Sequence, residues 1–104
     1  MAVYNVHQTD SSEHDLLDIL KYIYNELHEP TTALRLADTF EASIESLSNM
    51  PHRCPLVDDK RLAAMGYRAL HIKNYIAFFT IDEITETVMV ERILYARRDW
   101  LSIL

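Results

Sequence analysis

The sequence has 104 residues and a formal net charge of −6. This length fits one domain, and a hydrophobic fraction of 49% with only one Gly and three Pro argues against a disordered chain. Because the single cysteine, Cys54, cannot form an internal disulfide, the composition favours a reducing compartment over a disulfide-stapled secreted domain. No leader pattern precedes Asp10 and no apolar run approaches the roughly 20 residues of a membrane span, so a cytoplasmic protein without a membrane partner is predicted.

The charge is divided unevenly along the chain. Residues 1–50 contain nine acids and two bases, a net charge of −7, whereas residues 51–104 contain seven acids and eight bases, a net charge of +1. An acidic chain is not expected to bind nucleic acid non-specifically, since phosphate contacts need lysine and arginine. Six of the seven arginines lie in the second half. The two halves therefore face different electrostatic surroundings, although an acidic helical face beside a neutral sheet would also account for the division.

The first half predicts one strand and two helices. Val3–Val6 is a short strand candidate, and Asp10 with Glu13 has the form of a capping box for a helix over Ser11–His28. Pro30 begins a second helix that ends near Asn49. The apolar stripe of the first helix is Leu16, Leu20, Ile23 and Leu27, and that of the second is Ala33, Ala37, Phe40, Ile44 and Leu47. A short connection makes the two helices antiparallel, and their stripes need a third layer to cover them.

The second half changes to a period of two after a predicted loop over His52–Ala64. Strands are predicted over Met65–Ile72, Tyr75–Ile81 and Thr85–Leu94, and the middle one is apolar enough to be covered on both faces. The remaining tail, Ala96–Leu104, has Trp100 as an anchor. The prediction is thus one α+β domain over residues 1–104 with the order β-α-α-β-β-β, a helical hairpin packed on a mainly antiparallel sheet of about four strands.

Several kinds of site are not expected. Gly66 is the only glycine, so no glycine-rich loop can hold a phosphate. The five histidines are scattered without helical metal spacing, and Cys54 has no second cysteine nearby. No nucleophile elbow is present. The sequence therefore predicts neither a metal nor a cofactor.

Two arginines stand out because each falls in a row of apolar side chains. Arg92 shares its predicted row with Val88, Val90 and Leu94, and Arg68 lies similarly in the first strand of the meander. A charge in such a row is costly unless it is paired or reaches the end of the sheet. The carboxylates considered as partners are Asp58, Asp59 and Glu91. Alternatively, both arginines line a concave face and bind a phosphate or carboxylate, which guanidinium groups grip bidentately.

The ordered set of segments resembles the RelE/ParE family of bacterial toxins over essentially the whole chain. The segments that carry the resemblance are a helical hairpin, then Gly66–Ile72, Asn74–Ile76, Phe78–Phe79 and Arg92–Trp100, with the proline-bounded exit Met50–Pro51 from the second helix. The resemblance implies the toxin of a type II toxin–antitoxin system, held inactive by a cognate antitoxin whose extended segment wraps it. It also implies a homodimer or a heterotetramer with that antitoxin as alternative assemblies.

The family divides between two mechanisms, and the resemblance implies different site residues for each. A RelE-like toxin cuts mRNA in the ribosome, and for that reaction Arg68 and Arg92 would hold the scissile phosphate, Tyr95 would be the general acid, and His71 or Glu91 the base. A ParE-like toxin acts on DNA gyrase, and Arg61, Arg97 and Arg98 would then contact the target. The acidic charge and the ending Arg97–Trp100 favour the ParE branch. A degenerate interaction module without a target is the third hypothesis.

Overall fold

The first half of the chain forms one short strand and two long helices, as its periodicity predicts. In the computed structural model, which describes residues 3–104, β1 spans Asn5–Gln8, α1 spans Asp10–Lys21 and α2 spans Pro30–Glu45. A π-helical turn, Tyr22–Glu26, extends α1, and 3₁₀ turns over Ser46–Ser48 and Pro51–Arg53 follow α2. Pro30 lies in the first turn of α2, where its missing amide costs no helical hydrogen bond.

The second half forms a meander that continues the sheet begun by β1. Its elements are α3 (Lys60–Ala64), β2 (Arg68–Ile72), β3 (Tyr75–Asp82), β4 (Thr87–Tyr95) and α4 (Trp100–Ile103). The strand order is β1-β4-β3-β2, with β1 parallel to β4 and the other pairs antiparallel. The predicted α+β class, the four-stranded sheet and the order β-α-α-β-β-β of the strands and the two long helices are confirmed, and the short helices α3 and α4 are additional.

The sheet is covered on both faces, which explains the apolar sequence of β3. One cluster joins Phe40, Ile44 and Leu47 of the hairpin region to the sheet side chains of the helical face. A second cluster, on the opposite face, contains Val57, Leu62, Ile76, Phe78 and Leu94, with Trp100 packed against it. Phe78 and Phe79, adjacent in β3, are both fully buried, one in each cluster. The prediction that β3 is covered on both faces is confirmed.

The tail after β4 is anchored as predicted. The ring centroids of Trp100 and Phe78 lie 5.1 Å apart, and the short helix α4 carries Trp100 onto the second cluster. The tail therefore closes the face of the sheet that the hairpin leaves open. Packing a large aromatic ring on a fully buried phenylalanine holds this end of the chain in place.

Some predicted boundaries are wrong for local reasons. The segment predicted as a loop over 52–64 contains α3, whose amino end is capped by Asp59: its side chain accepts a hydrogen bond from the Leu62 amide at 2.9 Å. A strand starting at Met65 is wrong because Gly66 adopts φ +86° in a turn, which a strand cannot contain, so β2 begins at Arg68. β1 begins two residues later than predicted, while Val3 makes only an isolated bridge to Asn49.

The start and the stripe of α1 also differ from prediction. Thr9, rather than Asp10, is the N-cap, because its hydroxyl accepts from the Ser12 amide at 3.0 Å and donates to the Glu91 carbonyl at 2.7 Å. Ile23 is buried, but Leu27 is 49% exposed and lies outside the core. In α2, by contrast, Ala33, Phe40 and Ile44 are buried as their spacing predicts.

Candidate functional site

A β-bulge in β4 puts side chains that the sequence predicts on one face of the strand onto two different faces. Phe79 pairs with Val90 and Phe78 pairs with Arg92, so Glu91 is an extra residue between the two pairs. Val90 consequently lies in the cluster under the hairpin, whereas Leu94 lies in the cluster on the opposite face. The prediction that Arg92 shares a row with Val88 and Val90 is wrong because the bulge reverses the alternation.

Arg92 is held by a carboxylate that the sequence analysis did not consider. Its Nε and Nη2 donate to the two carboxylate oxygens of Asp15 in α1 at 2.7 and 2.8 Å, a bidentate ion pair. The amide of Ile93 donates to the same carboxylate at 3.0 Å. The hydrogen bond to Asp15 raises the pKa of Arg92. Both side chains are partly buried, with 29% of Arg92 and 13% of Asp15 exposed, so the pair ties α1 to β4 just beyond the end of β1.

Arg68 is held by backbone carbonyl groups. Its Nη1 donates to the carbonyl of Cys54 at 2.7 Å and lies 3.5 Å from that of His52. Burial raises the pKa of the Cys54 thiol, against the opposing effect of the neighbouring Arg53 and Arg68 charges. Arg68 thus fastens β2 to the segment after α2, and none of Asp58, Asp59 and Glu91 pairs with it among the described residues.

Arg68, Arg92 and Tyr95 do not meet around one hollow. Arg68 pairs with Phe79 and Arg92 pairs with Phe78, and residues paired across two strands lie on the same face of the sheet. Because Phe78 and Phe79 lie on opposite faces, the positions of Arg68 and Arg92 do as well. Tyr95 is opposite Tyr75 at the far end of β3, with the two ring centroids 5.7 Å apart. The three side chains therefore occupy three separate surroundings.

The two residues considered as a base are likewise apart. Glu91 accepts a hydrogen bond from the Thr80 hydroxyl at 3.0 Å. His71 is exposed on β2, beside a cavity of about 300 Å³ that also touches Trp100 and Phe78. Because the cavity is bordered mainly by apolar side chains and contains no arginine, it does not gather the groups that phosphate cleavage requires.

The other three arginines lie around α4. Arg97 and Arg98 are exposed in the turn that leads from β4 into α4, and the Arg98 amide donates to the Tyr95 carbonyl at 3.0 Å. Arg61 of α3 is also exposed, with its Nη2 at 3.5 Å from the Leu101 carbonyl. Within residues 3–104, none of these three guanidinium groups makes an ion pair with a carboxylate. Their exposed guanidinium groups are therefore able to meet another molecule.

A second polar cluster ties the β3–β4 turn to the segment after α2. Glu83 accepts a hydrogen bond from the Tyr4 hydroxyl at 3.0 Å and forms an ion pair with His52. The rings of Tyr4 and His52 meet edge to face, with centroids 5.9 Å apart. The hydrogen bond from His52, followed by that from Tyr4, lowers the pKa of Glu83. The sequence did not predict this cluster or the role of Asp15. The one sequence feature that could have indicated Asp15 is its position one helical turn before Ile19, which packs against the core.

Neither a metal site nor a membrane span is found in the part of the chain that the structure describes. No three His, Cys, Asp or Glu side chains among residues 3–104 are grouped to hold a metal ion. None of the described helices has both the length and the apolar character to cross a bilayer.

The family is shown by comparison with known sequences. Residues 6–100 match the model of the ParE toxin of the type II toxin–antitoxin system parDE. This match spans most of the chain, and the chain belongs to the ParE toxin family within the RelE/ParE superfamily. No curated protein matches the sequence.

Solved structures share the fold. The chain is similar to a chain of the chromosomal ParDE toxin–antitoxin system from P. aeruginosa, with a TM-score of 0.75 and 16% identity, over 91% of this chain and 98% of that one. It is also similar to a chain of the toxin–antitoxin complex RelBE2 from Mycobacterium tuberculosis, with a TM-score of 0.64 and 20% identity, over 90% and 99% of the two chains. The resemblance to RelE/ParE toxins seen in the sequence is confirmed. The protein is a toxin of a type II toxin–antitoxin system.

Proposed function

We propose that this toxin acts in the ParE manner: it binds DNA gyrase without catalysing a reaction, and a cognate antitoxin neutralises it. The proposal places target contact at Arg61, Arg97 and Arg98, and places both events in the cytoplasm. The family model that matches is that of the ParE toxin, which supports this branch.

The exposed arginines around α4 carry the proposal. Arg97 and Arg98 follow the end of β4, and the Nη2 of Arg61 in α3 lies 3.5 Å from the Leu101 carbonyl of α4. Binding without catalysis needs only accessible side chains on a firm support, and the packing of Trp100 on Phe78 provides that support. Guanidinium groups suit this role because they bind carboxylate and phosphate groups bidentately.

The arrangement of the other arginines argues against the RelE-like reaction. Cleavage of RNA through a ribose hydroxyl needs cations and an acid–base pair within reach of one phosphate. Arg92 is already occupied by Asp15, Arg68 by the Cys54 carbonyl, and Tyr95 lies against Tyr75. An RNase would have to break the Asp15–Arg92 pair to use Arg92, which would leave a partly buried carboxylate without its cation.

The test measures both candidate activities on one purified sample. Purified toxin is titrated into a gyrase supercoiling reaction and, in parallel, into a ribosome-dependent mRNA cleavage reaction. We expect supercoiling to be inhibited and the mRNA to stay intact. Cleaved mRNA with normal supercoiling would replace the proposal with the RelE-like mechanism, and no effect in either reaction, together with harmless expression in cells, would favour a degenerate interaction module.

A paired substitution locates the target contact. Arg97→Ser with Arg98→Ser is expected to weaken gyrase inhibition at least roughly 10-fold, since arginines at the centre of an interface often contribute more than 1 kcal/mol each. The matched control is Lys21→Ser with Arg35→Ser, which removes the same charge from exposed positions of the hairpin. Equal inhibition by both double variants would remove the α4 arginines from the target contact.

A further inference from the structure

A cavity of about 300 Å³ lies on the face of the sheet opposite the helical hairpin. Its floor consists of two cross-strand pairs from β2 and β3, Ala69 with Phe78 and His71 with Ile76. Because the Ala69 side chain is only a methyl group, it leaves room above the sheet at this position. The volume is at the lower end of the range for small-molecule sites.

The walls of this cavity are held in place from two sides. One wall is the segment 55–58, which precedes α3. In it, Leu56 forms a bridge to the first residue of β2, and the Val57 amide donates to the Tyr67 carbonyl at 3.0 Å. The other wall is Trp100 of α4, whose ring packs on the buried phenylalanine of the floor. The cavity is therefore already formed in the folded chain, as sites for small molecules usually are.

The side chains around the cavity favour a ligand that is both aromatic and positively charged. Asp58 lines the cavity, is exposed and has no ion-pair partner within residues 3–104. No lysine or arginine is among the described side chains that line the cavity, so a cation would meet the Asp58 carboxylate without competition from a basic side chain. The indole ring of Trp100 attracts a cation to its face, and the Phe78 ring offers an apolar surface for another ring.

We infer that this cavity binds a small aromatic amine in its protonated form. The ring of the amine enters between Trp100 and the floor, and its ammonium group reaches the Asp58 carboxylate. Burial of the ring supplies most of the affinity, and the ion pair selects the charge of the ligand. The inference goes beyond the proposed function and does not depend on it, since none of the three arginines assigned to target contact lines the cavity.

The test uses the fluorescence of Trp100, which is the only tryptophan of the chain and lines the cavity. Phenethylamine, phenylethanol and phenylpropionate carry a positive, a neutral and a negative group on the same ring. Each is titrated into the full-length protein in slightly alkaline buffer of low salt, and free N-acetyltryptophanamide is titrated in parallel to correct for quenching in solution. A saturable change is expected with phenethylamine, at an affinity at least roughly 2-fold above that for phenylethanol, and phenylpropionate should bind most weakly. No saturable change with phenethylamine, or equal affinities for the three probes, would overturn the inference.

Charge variants separate the Asp58 carboxylate from the general acidity of the chain. Asp58→Asn should weaken binding of phenethylamine roughly 2- to 5-fold, the range expected for one exposed ion pair, and should leave the affinity for phenylethanol unchanged. Asp18→Asn makes the same change in net charge at an exposed position of α1 outside the cavity and should leave both affinities unchanged. Equal weakening by the two variants would show that phenethylamine responds only to net charge, and the inference would fail.

A variant that fills the cavity tests where the probe binds. Ala69→Leu places a larger side chain on the floor and should abolish the saturable change with phenethylamine; an unchanged affinity in the folded variant would contradict binding in this cavity. If Ala69→Leu does not fold, the methyl NMR signals of Ala69 and Val57 in the wild type decide the same point, because phenethylamine must shift both and unshifted signals would overturn the inference. These measurements do not involve gyrase, so their failure leaves the proposed function standing.

Discussion

Arg92 and the pair Arg97–Arg98 lie close together in sequence but in different surroundings. Arg92 is partly buried and gripped through two hydrogen bonds by Asp15, whereas Arg97 and Arg98 are exposed and have no ion-pair partner among the described residues. The bulge at Glu91 changes the face of β4 on which Arg92 lies, and Arg92 lies beyond the last residue pair of β1 with β4, where Asp15 of α1 binds it. The same residue type therefore stabilises the fold at one position and is free to contact a target a few residues later.

Removing the Asp15 carboxylate should cause the largest loss of stability. Asp15→Ala should lower the free energy of unfolding by about 2–3 kcal/mol, because it leaves the Arg92 guanidinium and the Ile93 amide without their acceptor. Urea denaturation measures the change. Asp18→Ala is the control, since Asp18 is exposed on the same helix and should change stability by less than about 0.5 kcal/mol. Equal effects of the two substitutions would show that the Asp15–Arg92 pair does not hold α1 to β4.

The second arginine in the sheet should have a smaller structural effect. Arg68→Ala removes the 2.7 Å hydrogen bond to the Cys54 carbonyl and should destabilise the fold by about 1.5 kcal/mol. Arg68→Lys should recover part of that loss, because an ammonium group can still donate to a carbonyl. Thermal unfolding of the two variants beside the wild type checks the order. If Arg68→Ala had the same melting temperature as the wild type, Arg68 would not stabilise the fold and would resemble the exposed Arg97 and Arg98.

A still smaller effect is expected at Glu83 and depends on pH. Hydrogen bonds from His52 and Tyr4 hold the pKa of Glu83 below its ordinary value, so the folded protein binds fewer protons there than the unfolded chain. The resulting stabilisation is present above the ordinary pKa of glutamate and is lost as pH falls through the lowered pKa. The melting temperatures of wild type and Glu83→Gln should therefore differ near neutral pH and converge in acid. A difference that grows in acid would contradict the assigned hydrogen bonds.

The smallest change in stability is expected for the exposed arginines. Arg97→Ser with Arg98→Ser should change the free energy of unfolding by no more than about 0.5 kcal/mol, because neither side chain makes an ion pair in the described chain. Urea denaturation of this double variant beside Asp15→Ala compares the stability contributions of the exposed and the ion-paired arginines directly. A loss as large as that of Asp15→Ala would show that these arginines support the fold.

The sequence predicts the architecture well because its apolar residues follow a clear helical pattern in the first half and a clear strand pattern in the second. Four- and three-residue steps mark α2 from Ala33 to Ile44, and the continuous apolar run of β3 indicates a strand between two layers, both of which the structure contains. The helix α3 is missed because five residues make little more than one turn, too short for a period to appear. Its only local signal is the capping carboxylate of Asp59.

The arginine partners are less predictable because they depend on a long-range register. No glycine or proline marks the bulge at Glu91, yet it decides which face Arg92 occupies. Asp15, its partner, is 77 positions away on α1, whose Ile19 packs against the core cluster under the hairpin, so the pairing depends on how that helix lies on the sheet. Arg68 meets carbonyl groups, which carry no sequence signal at all.

Gyrase inhibition by folded Arg97→Ser with Arg98→Ser, measured against wild type, tests the central claim most directly. The exposed arginines at the end of β4 are proposed to contact the target, while Arg92 is bound within the fold. A normal unfolding transition together with at least roughly 10-fold weaker inhibition of supercoiling is predicted. Undiminished inhibition by a folded double variant would contradict the claim.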